Sequence, residues 1–284
     1  MPQGKIADLF GVQLQTVTRW LKRLEIPLYE RADVVSYSLM RYDRHVFSNN
    51  LIEKAYLIGL RTGDLAVQKH GRGWRISITT SHPAMSDLIK ESFGKYSTVR
   101  MYPKRDYKFG GHYWAHFCVL DKSFEFLKEK AEVLPKWIYD NENIFLSFLA
   151  GYFDAEGCIS LRYVPKNAKG VSWIVKSCDK HLLLSIRKKL NSIGYDIHFS
   201  LSKKADGKIY SKDYWYIGTS KKFHVLKLLE SLPIRHQEKL LKRDLAFNLE
   251  KTSWKNADKK INKVRNNIKN DVVRFKADAT DAAM

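Results

Sequence analysis

A duplicated segment constrains the fold of this 284-residue chain more than any other feature. The sequence AYLIGLRTGDLAV begins at Ala55, and FLAGYFDAEGCIS begins at Phe148. Their matching positions, each 92 residues apart, are Leu57 and Leu149, Gly59 and Gly151, Asp64 and Glu156, and Val67 and Ile159. A repeat of this length, with a carboxylate at the same point twice, predicts two copies of one structural unit.

The elements predicted around these segments also follow one order, αββαββα, in each half. The first half is predicted as a helix at 53–64, a hairpin at 65–80, a helix at 82–93, a hairpin at 98–120 and a helix at 122–133. The second is predicted as a helix at 143–156, a hairpin at 158–178, a helix at 179–193, a hairpin at 197–218 and a helix at 222–232. Both halves end in a Leu-Pro stop, at Pro135 and Pro233. The predicted fold class is α+β, with two pseudo-symmetric αββαββα repeats of antiparallel strands.

Two further segments flank the predicted repeats, which span residues 50–138 and 142–250. Residues 1–45 have the rhythm of a helix-turn-helix, with Gly11 at the turn and Gln13, Gln15, Thr16, Arg19 and Lys22 exposed toward DNA. Residues 251–284 form a basic helical tail that is expected to fray over its last residues, ADATDAAM. Its charged run at 255–269 is either a solvated face or a phosphate contact.

The charge of the chain indicates a polyanionic partner. There are 50 Lys and Arg against 30 Asp and Glu, which gives a net charge of +20 and a pI of about 9.7. This excess favours nucleic acid over an anionic membrane, because no lipidation motif or amphipathic anchor is present. No apolar run of membrane-spanning length and no signal peptide is found, so an intracellular, cytoplasmic location (organellar in a eukaryote) is expected. Cys118, Cys158 and Cys178 lie far apart and indicate reduced core residues rather than a zinc site.

The duplicated segments predict how two acids come together. A glycine in the middle of a helix costs about 1 kcal/mol relative to alanine, and this cost is understandable where Gly59 and Gly151 let two helices cross closely. Such a crossing would bring Asp64 and Glu156 together, where two carboxylates repel unless a cation lies between them. Oxygen ligands of this kind suit Mg²⁺. Asp154 is expected to serve the turn from helix to strand.

The second segment, LAGYFDAEG at 149–157, resembles the motif of the LAGLIDADG homing endonucleases. It has Tyr and Phe in place of Leu and Ile, and Glu in place of the last Asp. The first segment, LIGLRTGDL at 57–65, keeps Gly59 and Asp64 but has Arg61 and Thr62 in place of Ile and Asp, and Leu65 in place of the last glycine. The resemblance covers roughly residues 50 to 250 and is closest to the single-chain branch with two repeats.

The resemblance implies a monomeric endonuclease that cuts both strands of double-stranded DNA at a long, pseudo-symmetric site. The two sheets would form a saddle over the duplex, and the products would carry 3′-hydroxyl and 5′-phosphate ends with short 3′ overhangs. Mg²⁺ or Mn²⁺ would be held by Asp64 and Glu156, together with the residues after them, Leu65 and Gly157. The family places a lysine near the active site in each half, and the candidates in those zones are Lys130, Lys136, Lys227 and Lys239.

Strand alternation predicts which side chains face the DNA, because every second residue of a strand lies on one face. The first-repeat candidates are Gln68, His70, Arg72, Arg75, Ser77, Thr79, Arg100, Tyr102, Lys104 and Arg105. The second-repeat candidates are Arg162, Tyr163, Lys166, Lys169, Ser172, Lys203, Lys204, Lys208, Tyr210, Lys212 and Tyr214.

Two alternative functions are compatible with the same pattern. Regulators of the WhiA type join a helix-turn-helix to LAGLIDADG repeats and bind DNA without cutting it. Against this reading, the acids at both metal positions are present here. Intron RNA maturases of the same family also combine basic charge with aromatic strand residues. A metal-dependent cleavage assay separates the regulator from the enzyme, and a splicing assay separates the maturase.

Overall fold

The computed structural model describes residues 3–26, 43–107, 110–164, 168–207, 211–249 and 254–283. The chain divides into two compact units, Met1–Asp43 and Arg44–Met284. In the described residues, no helix is both long enough and apolar enough to cross a membrane.

The described part of the N-terminal unit, residues 3–26 and 43, contains two short helices joined by a turn. They are α1 (Gln3–Phe10) and α2 (Leu14–Arg23). Gly11 has a φ of +61°, a conformation that glycine adopts at little cost. Ala7 and Val17 are buried, and the rings of Phe10 and Trp20 meet edge to face.

The first repeat of the main unit wraps a four-stranded sheet around one face of a buried helix. Its elements are α3 (Leu51–Thr62), β1 (Ala66–His70), β2 (Gly73–Thr80), α4 (Pro83–Phe93), β3 (Arg100–Arg105), β4 (His112–Leu120) and a 3₁₀ helix (Lys122–Leu127). Asn50 caps the N-terminus of α3, because its side chain accepts a hydrogen bond from the Glu53 amide. The strands are antiparallel in the order β1-β2-β4-β3.

The second repeat has the same topology. It follows a short helix, α5 (Lys136–Tyr139), and contains α6 (Glu142–Glu156), β5 (Gly157–Val164), β6 (Ala168–Ser177), α7 (Lys180–Ser192), β7 (His198–Lys203), β8 (Tyr214–Thr219) and α8 (Lys222–Ser231). Helix α6 is capped by Asn141 as α3 is by Asn50. The strands are antiparallel in the order β5-β6-β8-β7. The predicted α+β fold with two repeats is therefore confirmed.

Helices α3 and α6 form the centre of the main unit, and two glycines allow them to cross at van der Waals distance. A Cβ atom on Gly59 would collide with the Phe148 carbonyl, and one on Gly151 would collide with the Tyr56 carbonyl. Both helices are almost completely buried, because sheets and helices of both repeats pack around them. The close crossing inferred from the two glycines is confirmed.

The prediction of a helix at 122–133 is wrong. Only Lys122–Leu127 is helical, and it is a 3₁₀ helix. The Asp121 side chain accepts a hydrogen bond from the Ser123 amide, and Phe124 and Leu127 are both buried. Residues three positions apart align on a 3₁₀ helix, so this tighter turn buries both side chains at once.

Two C-terminal helices cross from the second repeat to the first. They are α9 (Gln237–Leu249) and α10 (Trp254–Asp281). The Arg265 guanidinium donates to the Leu161 carbonyl of β5, and the Trp114 indole of β4 donates to the Phe275 carbonyl. The predicted fraying of residues 277–284 is wrong as far as Asp281, because Ala279 is fully buried and holds the last turns in place.

Candidate active site

Asp64 and Glu156 lie at neighbouring ends of the two central helices. Asp64 follows the end of α3 by two residues, and Glu156 is the last residue of α6. The two ends touch, because a Cβ atom on Gly63 would collide with Ala155 and lie 3.2 Å from the Glu156 Cγ. Asp64 is the more accessible of the two and Glu156 is half-buried, but protein atoms surround both carboxylates closely enough to remove part of their hydration.

The environment of both acids disfavours the ionised form. Loss of solvent raises the pKa of Glu156 to about 7, and the negative charges of Asp64 and Asp179 act in the same direction. Loss of solvent also raises the pKa of Asp64. The ammonium groups of Lys130 and Lys239 oppose both shifts. Two carboxylates with raised pKa values and two nearby cations are typical of a functional site.

Lys130 and Lys239 both bind carbonyl groups at the ends of the central helices. The Lys130 ammonium donates to the Gly63 carbonyl at 2.6 Å, and that of Lys239 donates to the Phe153 and Asp154 carbonyls. Such cations interact favourably with the negative end of a helix dipole. Lys239 is buried, and this burial lowers the pKa of its ammonium to about 8.

The other two lysine candidates have different surroundings. Lys136 is exposed at the first residue of α5. Lys227 is exposed on α8, with its ammonium over the Tyr195 ring. Neither is among the charges that act on Asp64 or Glu156.

Asp154 does not serve the turn from helix to strand, so that prediction is wrong. Its carboxylate is fully buried and accepts hydrogen bonds from the Tyr56 hydroxyl at 2.6 Å and from the Arg235 amide at 2.8 Å. The Arg235 guanidinium stacks 3.7 Å over the Tyr56 ring and pairs with Glu53. Asp154 thus fixes α6 to α3 and to the segment that leads into α9.

A cavity of about 420 Å³ opens beside Asp64. It lies between the two repeats, and α9 forms one of its walls. The lining includes Asp64, Thr80, His82, Asp154, Cys158, His236, Glu238, Lys239 and Lys242. Substrate atoms that enter this cavity would contact the Asp64 carboxylate, the ammonium groups of Lys239 and Lys242, and histidine side chains.

Each sheet packs one face on the helices and leaves the other, termed here the open face, toward solvent. On β2, Trp74, Ile76 and Ile78 are buried, and the residues between them are on the open face. The register places these predicted DNA-contacting residues on the first open face: Gln68, His70, Arg75, Ser77, Thr79, Arg100, Tyr102 and Lys104. Arg72 lies in the β1–β2 turn. Arg105 alternates to the helix-facing side, contrary to the prediction.

The second open face carries fewer of the predicted residues. The register places Arg162, Ser172, Lys203 and Tyr214 on it. Lys204 and Lys212 are exposed in the β7–β8 connection. Lys166, Lys208 and Tyr210 lie outside the described residues, as do the side chains of Tyr163 and Lys169.

Sequence reasoning missed residues on strands of both open faces. These are Tyr113, Phe117 and Val119 on β4, Lys176 on β6, Tyr216 on β8, and His198 and Ser200 on β7. The Arg75 guanidinium lies 4.5 Å from the Phe117 ring centre, and His198 meets Tyr216 edge to face. The β4 sequence HYWAHFCVL is apolar on both faces, so alternation gave no signal there.

No family model matches the sequence, and no curated protein matches it. Solved structures with a similar fold were found. The homing endonuclease I-WcaI bound to its DNA recognition sequence is 18% identical, covers 77% of this chain and 97% of its own, and has a TM-score of 0.47. A structure of mesophilic variants of the homing endonuclease I-DmoI is 17% identical, covers 68% of this chain and 97% of its own, and has a TM-score of 0.43.

The N-terminal LAGLIDADG domain of DUF199/WhiA is 16% identical, covers 66% of this chain and 84% of its own, and has a TM-score of 0.44. The chain resembles LAGLIDADG proteins in structure. These neighbours include both homing endonucleases and a WhiA domain.

The departures from the LAGLIDADG motif have packing explanations. Arg61 is buried and donates to the Leu65 carbonyl at 2.5 Å and to the Leu127 carbonyl at 2.9 Å, so it joins α3 to the 3₁₀ helix. Phe153 stacks on Trp173 of β6 at 5.2 Å. A Cβ atom on Gly157 would collide with the Phe153 ring, and this explains why glycine follows Glu156.

Proposed function

We propose that this chain is a divalent-metal-dependent endonuclease that hydrolyses both strands of duplex DNA at a long, pseudo-symmetric site. The observation that carries the proposal is the contact between the ends of α3 and α6, where loss of solvent raises the pKa of both acids and the charge of Asp64 adds to the shift at Glu156. A protein that only binds DNA gains nothing from two partly desolvated carboxylates that face a polyanion. A net charge of +20 supports nucleic acid as the partner.

The donor set fits Mg²⁺ or Mn²⁺. Among the described residues there is no group of three or more His, Cys, Asp or Glu side chains that could hold a metal. Mg²⁺ needs no such group, because it is commonly held by one or two carboxylates together with water and substrate phosphate. Asp64 and Glu156 would hold the ion, and a cation between them would relieve their repulsion. A bound divalent ion would supply charge stabilisation at the scissile phosphate.

The other residues of the site have separate tasks in this proposal. The two open faces bind the major groove, with Arg75 and Gln68 suited to base edges and Lys104 and Lys176 to phosphates. The ammonium groups of Lys130 and Lys239 keep positive potential at the helix ends, where negative charge develops on the phosphoryl oxygens. The products would be 3′-hydroxyl and 5′-phosphate ends.

A non-catalytic DNA-binding regulator is the second candidate. It is favoured by one observation, the hydrogen bond from Arg61 to the Leu65 carbonyl, which occupies a group expected beside the metal in the first repeat. The two candidates differ only in cleavage, so one experiment separates them.

The experiment incubates the protein with a plasmid library of random inserts, with Mg²⁺ and with EDTA, and sequences the ends. We expect discrete Mg²⁺-dependent double-strand breaks with short 3′ overhangs. Glu156→Gln should abolish cleavage and leave DNA binding intact, because it removes one charge without changing the shape of the side chain. Glu142→Gln, at the exposed first turn of the same helix, is the matched control and should cut normally. Tight binding without cuts by the unmodified protein would establish the regulator instead.

A further inference from the structure

A histidine and a glutamate that belong to different repeats form a pair at the cavity beside Asp64. His82 precedes α4 in the first repeat, and Glu238 lies in the first turn of α9. The His82 Nδ1 and the Glu238 Oε1 are 2.8 Å apart. The Glu238 side chain is only 14% exposed, whereas that of His82 is 48% exposed. Glu238 therefore holds one ring nitrogen from the protein side, and the ring itself stays accessible.

The carboxylate of this pair is ionised. Burial raises the pKa of Glu238, but the hydrogen bond from His82 and nearby positive charge, that of Lys242 included, outweigh that effect and leave the pKa below its usual value. An ionised carboxylate at Nδ1 favours the tautomer that carries its proton there. The Nε2 atom is then left with a free lone pair, which is the arrangement of a general base.

The pair shares its cavity with the catalytic candidates. Asp64, His82, Glu238 and Lys239 all line the same space of about 420 Å³. The other titratable groups of this wall are His236 and Lys242. His236 is buried, and this burial lowers its pKa to about 3, so His236 stays neutral. Of the two histidines that line the cavity, His82 is the one whose ring a bound water can reach.

The second repeat has a different residue at the corresponding place. Helix α7 is preceded by Asp179, whose carboxylate accepts a hydrogen bond from the Ser177 hydroxyl. The negative charge of Asp179 acts on Glu156. The two halves of the site are thus chemically unequal, with a histidine in the cavity that Asp64 lines and an aspartate whose charge acts on Glu156.

We infer that His82, oriented by Glu238, is the general base for hydrolysis of one of the two DNA strands, an inference that rests on the proposed endonuclease function. The Nε2 atom takes a proton from a water molecule in the cavity as the water oxygen forms a bond to phosphorus. The bond from phosphorus to the 3′ oxygen breaks, and that oxygen takes a proton from solvent. His82 then returns its own proton to solvent, so one water is consumed for each strand cut.

The test follows the two strands separately in a supercoiled plasmid that carries the site recovered from the library. His82→Gln keeps a donor for Glu238 but removes the base. It should slow one strand about 100-fold, within the usual range for a general base, and leave the other strand unchanged, so that nicked circles accumulate. His82→Ala should behave in the same way and regain activity when imidazole is added. Glu238→Gln should slow the same strand less than His82→Gln does.

Three controls separate catalysis from structure. His181→Gln changes an exposed histidine of α7 and should cut both strands at the unmodified rate. DNA affinity and thermal unfolding of each variant report whether the contact between α4 and α9 matters only for folding. Imidazole cannot restore a lost structural contact, so rescue distinguishes the two roles.

Two outcomes overturn the inference while the endonuclease stands. One is that His82→Gln cuts each strand at the same rate as the unmodified protein does. The other is a loss in His82→Ala that imidazole does not relieve. An unmodified protein that makes no cuts overturns the proposed function, and the inference falls with it.

Discussion

At the scale of single residues, the site is built at a cost in stability. Asp64 and Glu156 both lose part of their hydration, and this loss is the largest cause of the raised pKa of Glu156, to which the charge of Asp64 adds. A group whose pKa is higher in the folded protein than in the unfolded chain binds its proton more tightly when folded. The folded state is then favoured at low pH and loses that advantage as the pH rises from about 4.5 to about 7.

This cost predicts a pH-dependent gain in stability for Glu156→Gln in the absence of metal. At pH 8 the variant should unfold with a free energy about 1–2 kcal/mol larger than the unmodified protein, a value reduced for the solvent that reaches the site. At pH 5 the difference should shrink, because Glu156 is then protonated in the folded protein. Urea unfolding at several pH values in EDTA measures it.

The matched control is again Glu142→Gln, which should show no pH-dependent difference. A stability difference for Glu156→Gln that is constant from pH 5 to pH 8 would contradict the raised pKa of Glu156.

At the scale of elements, the crossing of α3 and α6 was the most predictable feature. The two glycines and the shared spacing specify a contact between backbones, and such a contact tolerates no side chain. Gly151→Ala should therefore destabilise the main unit by several kcal/mol, because its Cβ atom would meet the Tyr56 carbonyl in a packed core. Thermal unfolding followed by circular dichroism measures the loss.

Gly4→Ala is the control for this prediction. Gly4 is also helical but has nothing near its Cβ position. Its replacement should leave the unfolding of the main unit unchanged. If Gly151→Ala unfolds at the same temperature as the unmodified protein, the close crossing of the helices is refuted.

Elements with non-local partners were predictable only in part. Helix α10 was expected from its sequence, but its burial was not. Ala279 and Phe275 lie within a mostly polar segment, and the sequence does not show that β4 packs beside it. The helix predicted at 122–133 failed for a related reason. Its apolar residues fit an α-helical period, yet the surrounding aromatic side chains favour the tighter 3₁₀ turn.

The same distinction holds for the candidate site. The repeat predicts the positions of Asp64, Glu156 and the region around Lys239, because each position depends on the sequence pattern of one repeat alone. The pair of His82 and Glu238 could not be predicted, since it depends on α9 crossing from the second repeat to α4 of the first. Asp154 also was misplaced, because its partner Arg235 lies 81 residues away.

At the scale of the whole molecule, a net charge of +20 would attract DNA to any part of the surface, but in the proposed complex only charges on the binding face would displace counterions from phosphates. Salt dependence of binding therefore tells where the DNA lies. Lys176 lies on the open face of the second sheet, and Lys188 is exposed on α7, which packs against the opposite face. Replacing either with alanine lowers the net charge by the same amount.

We expect the two variants to differ in the slope of log affinity against log salt concentration. Lys176→Ala should reduce the magnitude of the slope by about 0.9, the value for one phosphate contact, and Lys188→Ala should leave it unchanged. Fluorescence anisotropy with the recovered site at several KCl concentrations in Ca²⁺ measures both. Because the net charges of the variants are equal, a shared change in slope would mean that the charge acts at long range. That result would refute the open faces as the DNA-binding surface.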